Sequence, residues 1–139
     1  MKVAVVYWSG TGNTEAMAQA VLAGATEKGA EATLFTPGDF GPEMVTDYDA
    51  IAFGCPAMGA EVLEEDEFEP MFTACEGNLK GKRIGLFGSY GWGDGEWMRS
   101  WEDTCDSCGA LRTGDSVICC DAPDEDALAS CKALGAALA

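Results

Sequence analysis

Short apolar segments alternate along the chain with longer segments of helical period. The apolar segments, each typical of a buried strand, are residues 3–8, 32–35, 50–55, 84–88 and 117–120. The first is almost continuously apolar, as expected for a strand covered on both faces. Because strands and helices alternate, we predict an α/β fold with a single doubly wound, five-stranded parallel sheet and helices on both faces.

Three helices are indicated by their termini. The first begins at Asn13 and Thr14, which can cap it, and ends before Gly29. The second covers residues 96–108, and the third opens near Pro123 with acidic residues in its first turn. No linker, repeat or low-complexity segment interrupts the pattern, so residues 1–139 are predicted to form a single domain.

Composition excludes several classes of function. Eight Lys and Arg against 24 Asp and Glu give a formal net charge of -16, which argues against binding to nucleic acid or an anionic membrane. The chain has no histidine, which removes the Ser/His/Asp and Cys/His mechanisms. Seven cysteines without an export signal favour reduced thiols and a cytoplasmic location.

A glycine-rich loop lies between the first strand and the first helix. Residues 9–14 read Ser-Gly-Thr-Gly-Asn-Thr, and at this position backbone N–H groups and the helix dipole favour an anion. The loop is not a Walker A motif, because no Lys-Ser/Thr follows, and Glu15 replaces the third glycine of the dinucleotide fingerprint. The spacing leaves two interpretations open: a site for a single phosphate, or a turn without a ligand.

Two further loops follow the third and fourth strands, at residues 56–61 and 89–95. With a strand order of 2-1-3-4-5, these loops and the first border the crevice at which open α/β sheets bind ligands. Trp8, Met58, Tyr90 and Trp92 would present flat or polarisable surface to a planar cofactor that carries a phosphate. The alternative for each of these side chains is packing in the core or at its rim.

The three loops carry a resemblance to a known family. Residues 7–14 (YWSGTGNT), 54–59 (GCPAMG) and 87–93 (FGSYGWG) resemble the short-chain flavodoxins in order and spacing, and the likeness extends from end to end. It implies FMN as the cofactor. The residues expected to bind it are Trp8, Ser9, Gly10, Thr11, Gly12, Asn13, Thr14, Pro56, Ala57, Met58, Gly59, Ala60, Glu61, Ser89, Tyr90, Gly91, Trp92, Gly93 and Asp94.

The resemblance also assigns individual roles. It implies that the isoalloxazine ring lies between Met58 and Trp92, and that Glu61 accepts a hydrogen bond from flavin N3–H. The Gly59 peptide would turn over on one-electron reduction, so that its carbonyl accepts N5–H of the neutral semiquinone. Ala60 and Pro56 depart from the pattern, at a position often polar and at one that can be a phosphate-binding Ser.

The function that follows is that of a low-potential one-electron carrier using non-covalently bound FMN, a semiquinone/hydroquinone shuttle between redox enzymes and itself not an enzyme. The alternative is a small FMN-dependent NAD(P)H:quinone-type reductase. A cofactor-free receiver domain is excluded, because Gly54-Cys55-Pro56 stands where a phosphorylatable Asp would be needed. A monomer is expected, since like charge discourages self-association.

Two other patterns have more than one interpretation. Six acids in residues 61–69 form either a solvated face or a docking surface for redox partner proteins with basic patches. Cys105 and Cys108, followed by Cys119 and Cys120, suggest either small buried side chains or a rival metal, iron–sulfur or dithiol site. Buried side chains are favoured, because neighbouring strand residues point to opposite faces.

Overall fold

The sheet is parallel, and the order of its strands differs from their order along the chain. In a computed structural model that describes residues 1–139, the strands are β1 (Lys2–Tyr7), β2 (Glu31–Phe35), β3 (Ala50–Gly54), β4 (Arg83–Tyr90), β5 (Leu111–Arg112) and β6 (Val117–Cys120). They lie in the order β2-β1-β3-β4-β5, with β6 also beside β4, and every pair is parallel. The predicted fold class and strand order are confirmed.

The fifth strand position is occupied by two short segments. Leu111 pairs with Arg83 near the beginning of β4, and Val117 pairs with Phe87 further along the same strand. The prediction placed a single strand at residues 117–120 and missed β5. Both residues of β5 are exposed and one is Arg112, so the segment has no apolar pattern of its own.

Strand β4 continues further than predicted. Ser89 and Tyr90 were expected in the loop after this strand, but they pair with Cys119 and Cys120 of β6. The ladder therefore carries both residues to the carboxyl edge of the sheet. The loop proper begins at Gly91.

The helices are α1 (Asn13–Glu27), α2 (Phe68–Cys75), α3 (Glu96–Ser107) and α4 (Glu125–Leu138). Three short 3₁₀ turns, at Pro37–Asp39, Pro42–Asp47 and Glu76–Asn78, complete the connections. α2 was not predicted. The predicted side-chain cap of α1 is wrong: Gly12, in the left-handed region with φ 95°, occupies the N-cap, and no side chain caps the helix.

Two hydrophobic clusters cover the two faces of the sheet. One lies under α2 and α3 and includes Phe53, Phe72 and Trp101; the other lies under α1 and α4 and includes Met17 and Leu134. Together they hold the carboxyl ends of the central strands in place, which fixes the positions of the loops that follow them.

Helices α1 and α4 approach each other closely at two glycines. A Cβ on Gly24 would meet the backbone carbonyl of Lys132, and one on Gly135 would meet that of Val21. Only glycine permits this contact between helix backbones. None of the four helices is long and apolar enough to cross a membrane.

Candidate functional site

The predicted site residues all lie in or beside three loops at the carboxyl edge of the sheet. We refer to residues 8–12 as the first loop, residues 58–62 as the hairpin and residues 91–95 as the Trp92 loop. The exposed members are Gly10, Thr11, Gly12, Gly59, Ala60, Gly91, Trp92, Gly93 and Asp94; the half-buried ones are Trp8, Ser9, Asn13, Pro56, Ala57, Met58, Glu61 and Tyr90; Thr14 and Ser89 are buried.

The first loop presents hydrogen-bond donors that the protein does not use. The Ser9 hydroxyl accepts from the Gly12 N–H at 3.1 Å, but the N–H groups of Asn13, Thr14 and Glu15 donate to no protein group. These are the unpaired donors at the N-terminus of α1, where the helix dipole is positive. Because Gly12 replaces a side-chain cap, the donors remain available to an external anion.

A buried contact joins the first loop to the end of β4. The Thr14 and Ser89 hydroxyls lie 3.2 Å apart, with 1% and 5% of these residues exposed. The Ser89 carbonyl also accepts from the Ala57 N–H at 3.0 Å. Residues predicted from three separate segments are thus connected at this edge.

The hairpin contains a tight turn and a residue in an unusual conformation. The Met58 carbonyl accepts from the Glu61 N–H at 2.8 Å, and the Val62 carbonyl accepts from the Met58 N–H at 2.9 Å. Glu61 adopts φ 56°, a left-handed conformation that favours glycine. A non-glycine residue held there at a loop tip is typical of a functional segment.

The Glu61 carboxylate links the hairpin to the next wall of the site. It accepts from the Trp97 N–H at 3.2 Å, in the first turn of α3. A Cβ on Gly93 would overlap the same carboxylate. Glu61 therefore packs directly beneath the Trp92 loop, and a side chain at position 93 would require this carboxylate to move.

The Trp92 loop is exposed, and one arginine holds it. Trp92 is 64% exposed, the largest value among the big apolar side chains. Asp94 is bound by Arg99, whose guanidinium donates to its carboxylate at 2.9 Å and to its carbonyl at 3.0 Å. The Tyr90 ring, expected to face the ligand, packs against the Trp97 ring at a centroid distance of 5.5 Å.

The acidic run at residues 61–69 is not uniformly solvated. Glu64 is 4% exposed, and its carboxylate accepts from the N–H groups of Asp66, Glu67 and Phe68 at 2.8 to 2.9 Å. Burial opposes ionisation, but the three donors prevail and lower the pKa of Glu64. Glu64 therefore organises the turn that leads into α2, whereas Glu65 and the next two acids face solvent.

The cysteines do not assemble into a site. Cys105 lies in the cluster under α3, whereas the Cys119 thiol contacts Met17 on the other face of the sheet. Burial raises the pKa of Cys105 to about 12. No group of three or more Cys, Asp or Glu side chains is placed to hold a metal ion, so the two cysteine pairs do not form a shared metal centre.

Several residues near the site were not predicted. The Asp121 N–H donates to the Tyr90 carbonyl at 2.7 Å, and its carboxylate lies beside Gly91. Thr36, Pro37 and Glu67 help to line an open depression of about 580 Å³ on the outer side of the first loop. Their positions in the sequence could have indicated them, because Asp121 and Thr36 directly follow strands and therefore lie at the same edge of the sheet.

Known proteins provide an independent comparison. A sequence profile described as flavodoxin matches residues 5–135. Flavodoxin from Megasphaera elsdenii is 46% identical over 137 residues, 99% of this chain and 98% of that protein. Flavodoxin from Clostridium beijerinckii is 43% identical over 121 residues, 87% of this chain and 88% of that protein.

Solved structures agree with these sequences. The solution structure of two-electron reduced Megasphaera elsdenii flavodoxin has a TM-score of 0.90 at 46% identity, covering 98% of this chain and 97% of that one. A flavodoxin from the domain Archaea has a TM-score of 0.87 at 29% identity, covering 99% and 96%. With the strand order and the three loops at one edge, these likenesses establish that the chain belongs to the flavodoxin family.

Proposed function

We propose that the chain is a low-potential one-electron carrier that binds FMN non-covalently at the three loops. The observation that carries the proposal is the set of unpaired N–H donors at the start of α1, at the same sheet edge as the exposed Trp92. FMN supplies the redox chemistry when it is bound, and the protein binds and orients it. The chain is an electron-transfer protein and not an enzyme.

The first loop fits a phosphate group. The N–H groups of Asn13, Thr14 and Glu15 are free to donate, and the Ser9 and Thr11 hydroxyls add further donors. No Lys or Arg is present in the loop, so the phosphate would be held by hydrogen bonds and the dipole of α1 alone. Pro56 contributes no N–H donor.

The other two loops fit a flat ring. Trp92 offers an exposed indole on one loop, and Met58 offers a half-buried thioether on the other. An indole face and a thioether both stack favourably on a planar heterocycle. A Cβ built on Gly59 would meet no atom within 4 Å, so the tip of the hairpin is open on this side.

The charge of the site favours a low potential. Ten acids lie at or near this edge of the molecule: Glu15, Glu61, Glu64, Glu65, Asp66, Glu67, Asp94, Glu96, Asp121 and Asp124. One carboxylate about 15 Å from an added negative charge costs roughly 0.3 kcal/mol in water, or on the order of 12 mV. Several such groups make the last electron harder to add by tens of millivolts.

The same surface fits a redox partner with a basic patch. Glu65, Asp66 and Glu67 are exposed next to the hairpin and the first loop, where a partner would approach the cofactor. Opposite charges on the partner would speed the encounter in a manner that weakens with salt. A single domain over residues 1–139, a monomeric state and a cytoplasmic location remain predictions from the sequence.

Stepwise anaerobic reduction of the purified protein, followed by visible absorption, tests the proposal. A yellow protein that develops a long-wavelength band and then loses it would support one-electron transfer with bound FMN. Bleaching without that band, together with oxidation of added NADPH, would favour the reductase. A protein that stays colourless and takes up no added FMN would overturn both functions.

A further inference from the structure

The Trp92 loop has little to hold it in place. Residues 91–94 are all exposed, and the loop contains three glycines, of which Gly93 and Gly95 have φ near +90°. Its backbone is therefore intrinsically flexible, and the exposed Trp92 ring contributes no core packing. The order of this loop depends on a few side-chain contacts.

Asp121 lies beside Gly91 at the start of the loop and Ile118 beside Gly95 at its end, and two further side chains contact the residues that follow Trp92. Glu61 packs beneath Gly93 from the hairpin side. From the helix side, the Arg99 guanidinium holds Asp94 by its carboxylate and its carbonyl, at 2.9 Å and 3.0 Å. One rigid fork thus fixes both the side chain and the backbone of the residue two positions after Trp92.

Arg99 is also the only basic residue at this edge. Lys132 of α4 pairs with Glu27 of α1, and the other basic residues lie at or near the opposite edge, at the starts of β1 and β4, at β5 or at the end of α1: Lys2, Lys28, Lys80, Lys82, Arg83 and Arg112. Around Arg99 stand the carboxylates of Asp94, Glu96 and Glu61. Its charge therefore offsets an otherwise acidic surface.

We propose that Arg99 is a positioning residue for the cofactor: it orders the Trp92 loop for stacking and moderates the negative field at the reducible ring. This inference rests on the proposed function, because it takes FMN to lie against Trp92. Arg99 would act through Asp94 and through its charge.

The proposal distinguishes local order from overall stability. The Arg99–Asp94 pair is exposed, at 58% and 80% for the two side chains, and such pairs add little to folding stability. Arg112 provides a matched control, because it lies near the far end of α3 and pairs with Glu102 and Asp106 away from the loop. The two arginines therefore separate effects on the site from effects on the helix.

The experiment compares R99Q, R99K and R112Q with the wild type. In R99Q we expect FMN affinity to fall on the order of fivefold, the factor for ordering about one more backbone residue on binding. Loss of a unit charge at roughly 10 Å in water changes an equilibrium about twofold, so the second midpoint should become about 20 mV more negative. R99K keeps the charge but not the fork, so it should lose affinity with a smaller shift in potential.

Amide hydrogen exchange in the FMN-free proteins gives a readout that does not depend on the cofactor. Exchange at residues 92–95 should be faster in R99Q and R99K than in R112Q, with unchanged melting temperatures for R99Q and R99K. An FMN affinity in R99Q equal to that of the wild type would overturn the proposal, whether or not the loop exchanges faster. A wild type that binds no FMN would instead overturn the proposed function, while the exchange data would still show whether Arg99 orders the Trp92 loop.

Discussion

At the scale of single residues, the peptide between Gly59 and Ala60 allows a direct test of whether the hairpin changes conformation on reduction. The Met58 carbonyl accepts from the Glu61 N–H, and neither central residue has positive φ, as in a type I turn. Turning this peptide over to a type II turn brings Ala60 to a φ of about +80°, which costs an alanine roughly 1 kcal/mol relative to glycine.

Ala60→Gly should therefore ease the first reduction step. If the peptide turns over in that step, the first midpoint should rise by about 40 mV, at 59 mV per 1.4 kcal/mol. Anaerobic spectroelectrochemistry measures the change. Ala60→Ser keeps the Cβ and serves as the control, for which we expect no shift. An unchanged midpoint in Ala60→Gly would show that residue 60 does not adopt a positive φ in this reduction step.

Glu64 stabilises the protein in a manner that depends on pH. Its carboxylate accepts three backbone N–H bonds, which lower its pKa in the folded state below the unfolded value of about 4.3. Its stabilisation is therefore complete above the unfolded pKa and is lost as the pH falls through the folded pKa. Glu64→Gln should lower the free energy of unfolding by about 1–3 kcal/mol at pH 7.

Urea unfolding at pH 7 and at pH 3.5 checks this expectation. The difference between wild type and Glu64→Gln should narrow at the lower pH, because protonation weakens the same three bonds in the wild type. Glu65→Gln is the control, since Glu65 is exposed and carries no such bonds. A constant difference at both pH values would argue that shape rather than charge matters at position 64.

At the scale of elements, the contact between α1 and α4 depends on the absence of side chains. Gly24→Ala would raise helix propensity by about 1 kcal/mol in an isolated helix. In the protein the new Cβ would press on the Lys132 carbonyl, so we expect a net loss of about 1–3 kcal/mol by urea unfolding. Thr26→Ala, at an exposed position of α1, should be neutral or slightly stabilising. A stabilised Gly24→Ala would mean that the helices can separate without loss.

The elements that the sequence predicts well are those with a strong period. β1 and β3 are almost continuously apolar, and α4 has an acidic first turn, which Asp124 caps as an acceptor for the Ala127 N–H. The sequence did not predict α2, because its eight residues follow a run of acids that is typical of a solvated surface. The turn before the helix is organised by Glu64, which is buried and whose carboxylate accepts from the nearby N–H groups of Asp66, Glu67 and Phe68; a run of acids has no apolar period that would indicate this role.

The candidate site follows the same division. The three loops and their common edge follow from strand order and glycine spacing alone. Arg99 and Asp121 could not be singled out, because their contacts with Asp94 and Tyr90 depend on loop conformation. Asp94 and Arg99 are five positions apart, and a single contact across a glycine-rich turn leaves no periodic pattern in the sequence.

At the scale of the whole molecule, charge is unevenly distributed. Acids crowd the carboxyl edge, whereas six of the eight basic residues lie at or near the opposite edge. A net charge of -16 would repel any anionic partner from all sides, but this distribution would also orient a basic partner toward the edge that carries the three loops. The location of a charge should therefore matter more than the total.

Two triple variants separate location from total charge. The first neutralises Glu65, Asp66 and Glu67 beside the site; the second neutralises Glu31, Glu43 and Asp47 near the amino edge. Both triples reduce the magnitude of the net negative charge by three. With a basic c-type cytochrome as acceptor, stopped-flow rate constants at low ionic strength should fall several-fold more in the first triple than in the second. The two should converge above about 0.5 M salt, where the Debye length is about 4 Å and exposed charges no longer attract a partner over a longer range. Equal losses in both triples would mean that a partner responds to total charge alone and that residues 65–67 form an ordinary solvated face.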